Sequence, residues 1–228
     1  MKNKTFILFT IFSLTIANTF AQLSAKVEFG NAARDHLGSP KKVKSIDDKE
    51  LAKTAHLQYS HLDYKKAYTT TSKEVYLLRY NIYSDEMEFV KNNQIYDLFK
   101  KENQIIDFFE SKTKYVAFDL NGKLNYFLIK SSGKNLVLAK QTIKLEKGKK
   151  KVTQFDIEVK PKYYLGKDKL FIAFNNKNLQ EIPKKKKTFY NLFGDKSSEI
   201  KKFMKKNRLS HKKGDDLVKI TNYFSSIN

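Results

Sequence analysis

Three acidic residues stand close together in the stretch RYNIYSDEMEF, which runs from Arg79 to Phe89. Asp85, Glu86 and Glu88 would suit a metal ion, or a general acid and base, if the chain folded them towards one point. The same stretch alternates apolar and polar residues, which is typical of a β-hairpin. We favour the hairpin, because one strand register places the apolar residues of both strands on the same face.

The predicted hairpin turns at Ser84 and Asp85, where the Asp side chain favours a turn. Glu86 and Glu88 then belong to a solvated face, with Arg79 diagonal to Glu88. The predicted cross-strand pairs are Ile82 with Met87, Tyr80 with Phe89, and Asn81 with Glu88.

No other motif for catalysis or metal binding stands out in the chain. His56 and His61 are five residues apart, which does not match the i, i+4 spacing of a helical zinc site, and His36 and His211 are isolated. There is no cysteine, no glycine-rich phosphate loop and no G-x-S-x-G elbow. We therefore predict no catalytic residue, no metal site and no cofactor.

Two groups of residues are candidates for ligand contact. Tyr163 and Tyr164, in KPKYYL, should point to opposite faces of a strand, so that one of them could stack on a base or a sugar ring. The alternative is an ordinary outward-facing strand tyrosine. Four consecutive lysines could contact lipid headgroups or lipopolysaccharide phosphates, or could form a solvated helix start. They are Lys184, Lys185, Lys186 and Lys187.

The chain is strongly basic, with a formal net charge of +21 over 228 residues. Such a charge attracts nucleic acid, anionic lipid or acidic glycans. However, the 45 basic residues include only three arginines, and Lys, Asn, Ile, Phe and Tyr, which A/T-rich codons specify, are all abundant. We therefore expect weak, non-specific polyanion binding and no specific nucleic acid, because base and phosphate recognition usually draws on Arg.

The N-terminus resembles a secretory signal peptide. Lys2 and Lys4 precede the apolar run FILFTIFSLTI, and Thr19 and Ala21 suit cleavage before Gln22. The run has 11 residues, fewer than the roughly 20 that cross a bilayer. We predict a signal peptide over residues 1–21, no transmembrane segment, and a soluble mature protein that is periplasmic or extracellular.

The elements that must position these residues change character along the mature chain. Residues 22–73 read as an extended lead-in with a short helix capped by Asp47, and residues 74–182 as short alternating strands, including one over residues 152–165. Asn121 and Gly122 predict a hairpin turn. Because no crossover helix separates the strands, the sheet should be antiparallel with meander connections, closed as a barrel or folded as a sandwich.

Past Ile182 the apolar period becomes helical, which predicts a helical tail over residues 183–228 packed on the β domain. Gly194 should end its first helix and Ser210 should cap its last. The class is therefore α+β overall, mainly β. The predicted apolar stripes are Phe189, Leu192 and Phe193; Ile200, Phe203 and Met204; and Leu217, Ile220, Tyr223 and Phe224.

GSP at 38–40, RYNIYSDEMEF, and the tail from FYNLFGD to FSSI resemble a family of exported proteins of Bacteroidota bacteria. The resemblance implies a β-rich body followed by a helical tail; it carries no activity and no catalytic residue, and residues 41–73 depart from it. We expect a non-enzymatic binding or envelope-associated module, whose partner is an envelope component or another protein. The alternative is an exported hydrolase acting on an acidic polymer.

Overall fold

The computed structural model describes Pro40 and residues 48–228, without the side chains of residues 72–74. The predicted signal peptide at 1–21, the predicted cap Asp47, and the rest of the lead-in before residue 48 lie outside the described residues. The first helix, α1 (Lys49–Thr54), begins after Asp48, whose carboxylate accepts hydrogen bonds from the backbone N–H groups of Glu50 and Leu51. A 3₁₀ turn (Ala55–Gln58) follows directly.

Twelve strands follow in the described chain, and the first begins inside the predicted lead-in. They are β1 (Lys65–Thr69), β2 (Ser72–Asn81), β3 (Glu86–Lys91), β4 (Gln94–Asp97), β5 (Ile105–Phe108), β6 (Thr113–Leu120), β7 (Lys123–Ile129), β8 (Leu136–Lys140), β9 (Ile143–Glu146), β10 (Lys162–Leu165), β11 (Lys169–Phe174) and β12 (Asn178–Glu181).

Ten of these strands form one antiparallel sheet in the order β12-β11-β8-β7-β6-β5-β1-β2-β3-β4, and β9 pairs with β10 separately. The large sheet curls into a half-barrel. The predicted class, mainly antiparallel β with a helical C-terminal tail, is confirmed. Pro40 makes an isolated bridge to Tyr96 on the outer strand β4.

The predicted turn at Asn121 and Gly122 is confirmed. It joins β6 to β7, with Leu120 opposite Lys123. Both turn residues have positive φ, 58° and 82°, as a two-residue hairpin turn with the twist of the flanking strands requires.

The predicted hairpin at Arg79–Phe89 exists, but its register differs by two residues. Tyr80 lies opposite Met87, where Phe89 was predicted, because the turn takes four residues, 82–85. The Asn81 side chain accepts a hydrogen bond from the Ser84 backbone N–H at 3.1 Å and so helps to hold the wider turn. A shift of two leaves every side chain on its predicted face, since strand side chains alternate with period two.

The described core falls into three clusters. The first lies on one face of the sheet around Tyr80, Phe89 and Tyr126, and side chains from α1, the 3₁₀ turn, β9 and β10 pack against it. The second lies between β8, β11 and the tail, where Val137 and Ile172 meet the helices. The third contains the side chains that alternate with those of the first two clusters along β6, β7, β8 and β11. They are Val116, Phe118, Phe127, Leu138, Phe171 and Ala173.

The tail contains three α-helices, α2 (Lys186–Asn191), α3 (Ser197–Lys206) and α4 (Gly214–Ser226), with a 3₁₀ turn (Gly194–Lys196) between the first two. Ser210 is not the cap of the last helix, which begins four residues later after Lys213. Instead its backbone N–H donates to the Asp216 carboxylate at 2.9 Å. The buried members of the predicted stripes are Phe189, Phe193, Ile200, Met204, Leu217, Ile220 and Phe224.

Candidate functional site

Asp85 and Glu88 are buried and Glu86 is half-buried, so the prediction that Glu86 and Glu88 form a solvated face is wrong for Glu88. Glu88 is 2% exposed and accepts hydrogen bonds from Arg79 at 2.8 Å and from the Asn81 amide at 3.0 Å. Arg79 lies directly opposite Glu88 in the observed register, and not diagonal to it. Its guanidinium also lies 3.8 Å from the centroid of the Tyr59 ring, a cation–π distance.

Asp85 is the centre of a buried polar cluster that connects the first hairpin to β7 and β8. Its carboxylate accepts a hydrogen bond from the Tyr80 hydroxyl at 2.7 Å, from the Tyr126 backbone N–H at 3.3 Å, and from the Lys140 ammonium. The Lys100 ammonium lies 3.4 Å away. We call these five residues the Asp85 cluster. They hold the turn after β2 against β8, which is five places from β2 in the sheet order, and so support the curl of the half-barrel.

The charges in this region compensate one another. Burial raises the pKa of the Tyr80 and Tyr126 phenols well above the usual value and lowers the pKa of the Lys140 ammonium. Burial also raises the pKa of Glu86, although Lys100 binds it at 2.8 Å and opposes the shift. Each of the three carboxylates also has a cation beside it. Loss of one partner from such a buried pair would destabilise the fold. We therefore favour a structural role for these groups over acid–base catalysis.

The histidines that the structure describes are not gathered at one place that could hold a metal. His56 is exposed, and His61 places Nδ1 2.9 Å from the Asp63 carbonyl, with its ring edge-on to Phe108. His211 is buried in the tail. Among the described residues, no group of three or more His, Cys, Asp or Glu side chains could hold a metal ion.

Strands β9 and β10 and the loop between them, residues 143–165, form a hairpin that we call the finger. Tyr163 and Tyr164 occupy opposite faces of β10, as predicted: Tyr163 is buried and Tyr164 is 40% exposed. Tyr163 holds the base of the finger, since its ring meets Tyr83 edge-on and its backbone N–H donates to the Thr54 hydroxyl at 2.8 Å.

The tip of the finger corrects the prediction of a strand over residues 152–165. Only residues 162–165 form a strand, and one bridge, Lys149 to Val159, joins the two arms of the loop. The Asp156 carboxylate accepts hydrogen bonds from the Thr153 N–H and hydroxyl, at 2.8 and 2.9 Å, which organise a local turn. These hydrogen bonds lower the pKa of Asp156, so the turn keeps its acceptor charged.

The finger tip exposes apolar side chains to an unusual degree. Val152, Phe155 and Ile157 are 83%, 86% and 80% exposed. The next most exposed large apolar side chain among the described residues is Leu165, at 70%, and it also belongs to the finger. A cluster of this kind marks an interaction site more often than scattered single exposures do.

Cations outnumber anions in the finger. The finger has seven exposed lysines and three acidic residues. Two of the lysines pair within the finger, Lys149 with Asp156 at 3.7 Å and Lys162 with Glu146 at 3.3 Å, and Lys160 pairs with Glu50 of α1. The lysines of the finger without an ion pair among the described residues are Lys144, Lys147, Lys150 and Lys151.

The four consecutive lysines at the start of the tail are all exposed. Lys186 lines a cleft of about 500 Å³ between α2 and α3. The Lys184 carbonyl lies 3.3 Å from Nε2 of His211, and Lys185 precedes α2 without a capping side chain. The other walls of the cleft come from Tyr190, Lys201, Met204, Lys205, Arg208 and Leu209.

The apolar tip and the cations of α3 were not predicted as sites from the sequence. Residues 155–159 alternate apolar and polar side chains, and the stretch 152–165 was predicted as a strand where most of the chain forms a loop. Lys201 and Lys205 are four residues apart, a spacing that places both on one helix face and could have signalled the cleft.

No protein-family model, no curated protein and no solved structure matches the chain. The resemblance to an exported Bacteroidota family therefore stays a prediction from the residues. Across the part of the chain that the structure describes, every helix is too short or too polar to span a membrane.

Proposed function

We propose that the protein is an exported, non-enzymatic binding module that attaches to an anionic lipid surface of the cell envelope through the finger. The observation that carries this proposal is the tip itself, where Val152, Phe155 and Ile157 project into solvent among exposed lysines. Apolar side chains enter the acyl boundary of a membrane, while lysines meet its anionic headgroups.

The two contributions are of similar size and both are needed. Full burial of one Val, Ile or Phe side chain contributes about 1.5–3 kcal/mol, and a Lys near an anionic leaflet contributes about 1 kcal/mol. A single weak anchor gives only marginal, reversible attachment, whereas an anchor combined with a polybasic patch attaches stably. The finger combines both on one hairpin.

A lipid surface suits this tip better than a protein partner does. A stable protein interface buries about 800 Å² on each partner, which three side chains at a hairpin tip do not supply. The Asp156 turn holds the tip in advance, so little ordering entropy would be lost on insertion.

Vesicle binding tests the proposal. We expect the protein to sediment with vesicles of phosphatidylglycerol and phosphatidylcholine, to sediment weakly with phosphatidylcholine alone, and to dissociate as salt is raised. The double variant Phe155→Ser/Ile157→Ser should lower the affinity by about tenfold or more, since each 1.4 kcal/mol is about tenfold. Both side chains are exposed, so the variant should fold normally.

The matched control is Phe109→Ser, which alters a 48% exposed Phe at the end of β5, outside the finger. It should bind vesicles as the wild type does. Equal losses in the control and in the double variant, or undiminished binding by the double variant, would remove the finger from the attachment site.

A further inference from the structure

We propose that the cleft between α2 and α3, which we call the tail cleft, binds a phosphate-bearing ligand. This site is separate from the finger and does not depend on the membrane attachment proposed above. Four cationic side chains line it: Lys186 from α2, Lys201 and Lys205 from α3, and Arg208 just after α3.

The cations of the tail cleft lack compensating anions. No acidic residue lines the cleft, and none of its four cations takes part in an ion pair within the described residues. The nearest acidic residue on α3, Glu199, binds Lys196 at 3.1 Å and lines a different cleft. A concave surface of one charge sign focuses its field and attracts an ion of opposite sign.

Apolar packing holds these like charges together. Phe189 of α2 and Ile200 and Met204 of α3 are buried in the same core cluster, so the two helices keep their relative positions without ion pairs. Arg208 adopts a φ of 53°, uncommon outside glycine, and the next residue, Leu209, donates its N–H to the Met204 carbonyl at 2.9 Å. The helix end thereby places Arg208 at the cleft.

The chemistry of the walls indicates the ligand class. A guanidinium binds phosphate oxygens in bidentate fashion and lysines bind them as point charges, so a phosphate group matches this set. The volume of about 500 Å³ exceeds the needs of one phosphate and falls within the range of small-molecule sites. Tyr190, Met204 and Leu209 offer an apolar wall to an organic group attached to the phosphate.

The phosphate could come from a free solute or from a lipid headgroup, and two arms of one experiment separate these sources. Calorimetric titration with inorganic pyrophosphate measures the free-solute arm. Sedimentation with phosphatidic acid vesicles measures the lipid arm, in the Phe155→Ser/Ile157→Ser background, which lowers the apolar contribution of the finger and keeps its lysines the same in every variant compared. The comparison of cleft variants can therefore be interpreted even if the finger does not attach to membranes.

Two charge-matched variants of one helix provide the comparison. Lys201→Gln/Lys205→Gln removes two cations of the tail cleft, and Lys202→Gln/Lys206→Gln removes two from the neighbouring cleft that contains Glu199 and Tyr223. We expect the first pair to weaken pyrophosphate or phosphatidic acid binding by about tenfold or more, and the second by less than about twofold. All four lysines are exposed, so both variants should fold.

Binding in either arm that depends on the first pair alone supports the proposal and identifies the source of the phosphate. Equal losses of affinity in the two double variants would show that general surface charge accounts for the binding, and would contradict the proposal. Absence of binding in both arms at physiological salt would overturn the proposal outright.

Discussion

Asp85 joins segments that are far apart in the chain, since its carboxylate meets the Tyr126 N–H 41 residues later and Lys140 55 residues later. Such a buried carboxylate is costly unless its partners remain in place, and loss of one partner from a buried pair typically costs about 3–5 kcal/mol. The cluster therefore makes the first hairpin and β7 depend on each other for stability.

The two buried tyrosines of the Asp85 cluster should respond in opposite ways to loss of the hydroxyl. The Tyr80 hydroxyl donates to Asp85, so Tyr80→Phe should lower the free energy of unfolding by about 1–3 kcal/mol. The buried Tyr126 hydroxyl has no hydrogen-bond partner among the described residues, so Tyr126→Phe should be neutral within about 0.5 kcal/mol or stabilising. Urea unfolding followed by circular dichroism measures both.

The two variants serve as controls for each other, because each deletes one hydroxyl oxygen from a buried tyrosine ring. Equal destabilisation by the two variants would contradict the hydrogen-bond pattern of the cluster. A larger loss for Tyr126→Phe would mean that its hydroxyl has a partner.

The role of Asp85 could not be predicted from the sequence. Alternation within residues 79–89 predicted the hairpin, though not its register, because alternation is local information. The partners Tyr126 and Lys140 come from β7 and β8, and Lys100 comes from the loop after β4, so only the curl of the sheet brings them to the turn. Local pattern thus gave a solvated acidic face where the fold gives a buried, neutralised one.

Strands and helices were predictable where the local signal agrees with the tertiary environment. The turn at Asn121 and Gly122 and the apolar stripes of the tail were predicted from the sequence. Both depend on residues that are close together in the sequence. The finger was not predicted, because residues 155–159 alternate like a strand but find no neighbouring strand for most of their length. The tail cleft was not predicted either, because its walls come from two helices whose packing is not a local property of the sequence.

The tail should loosen in mild acid through His211. Burial, together with nearby lysines, lowers the pKa of this imidazole below its usual 6.5. The unfolded chain therefore takes up a proton near pH 6.5 while the folded chain does not, and stability falls as the pH drops below that value. His211→Gln should flatten this dependence, as urea unfolding between about pH 7.5 and pH 5 would reveal.

The comparison concerns the slope with pH, because His211→Gln also removes the ring contact with Phe189, at 4.8 Å between centroids. His61, whose pKa burial also lowers, contributes in the same direction and stays present in the variant. An unaltered slope in His211→Gln would assign the acid sensitivity elsewhere.

The whole molecule carries a formal net charge of +21. The abundance of Lys, Asn, Ile, Phe and Tyr, which A/T-rich codons specify, favours codon composition as the source of much of this charge. The finger and the tail cleft differ from that background, because the finger combines cations with exposed apolar side chains and the cleft gathers them without anions. The arrangement of the lysines, more than their number, supports the two proposed sites.

Export is the prediction that concerns the chain as a whole. The mature protein should begin at Gln22, because the apolar run from Phe6 to Ile16 is followed by small residues that suit signal cleavage. Intact-mass measurement of the protein purified from an exporting host should give the mass of residues 22–228. Recovery of the chain with Met1 or the apolar run retained would contradict cleavage at this position.

An open sheet of ten strands has two unpaired borders, and such borders can recruit strands from other molecules. Here both borders are four-residue strands, β4 and β12, and Pro40, which has no backbone N–H to donate, bridges to Tyr96 on β4. Short edge strands, one of them with a proline beside it, offer little template for intermolecular β-pairing. Among the described residues, the two edges of the half-barrel thus give little opportunity for amyloid-like self-association.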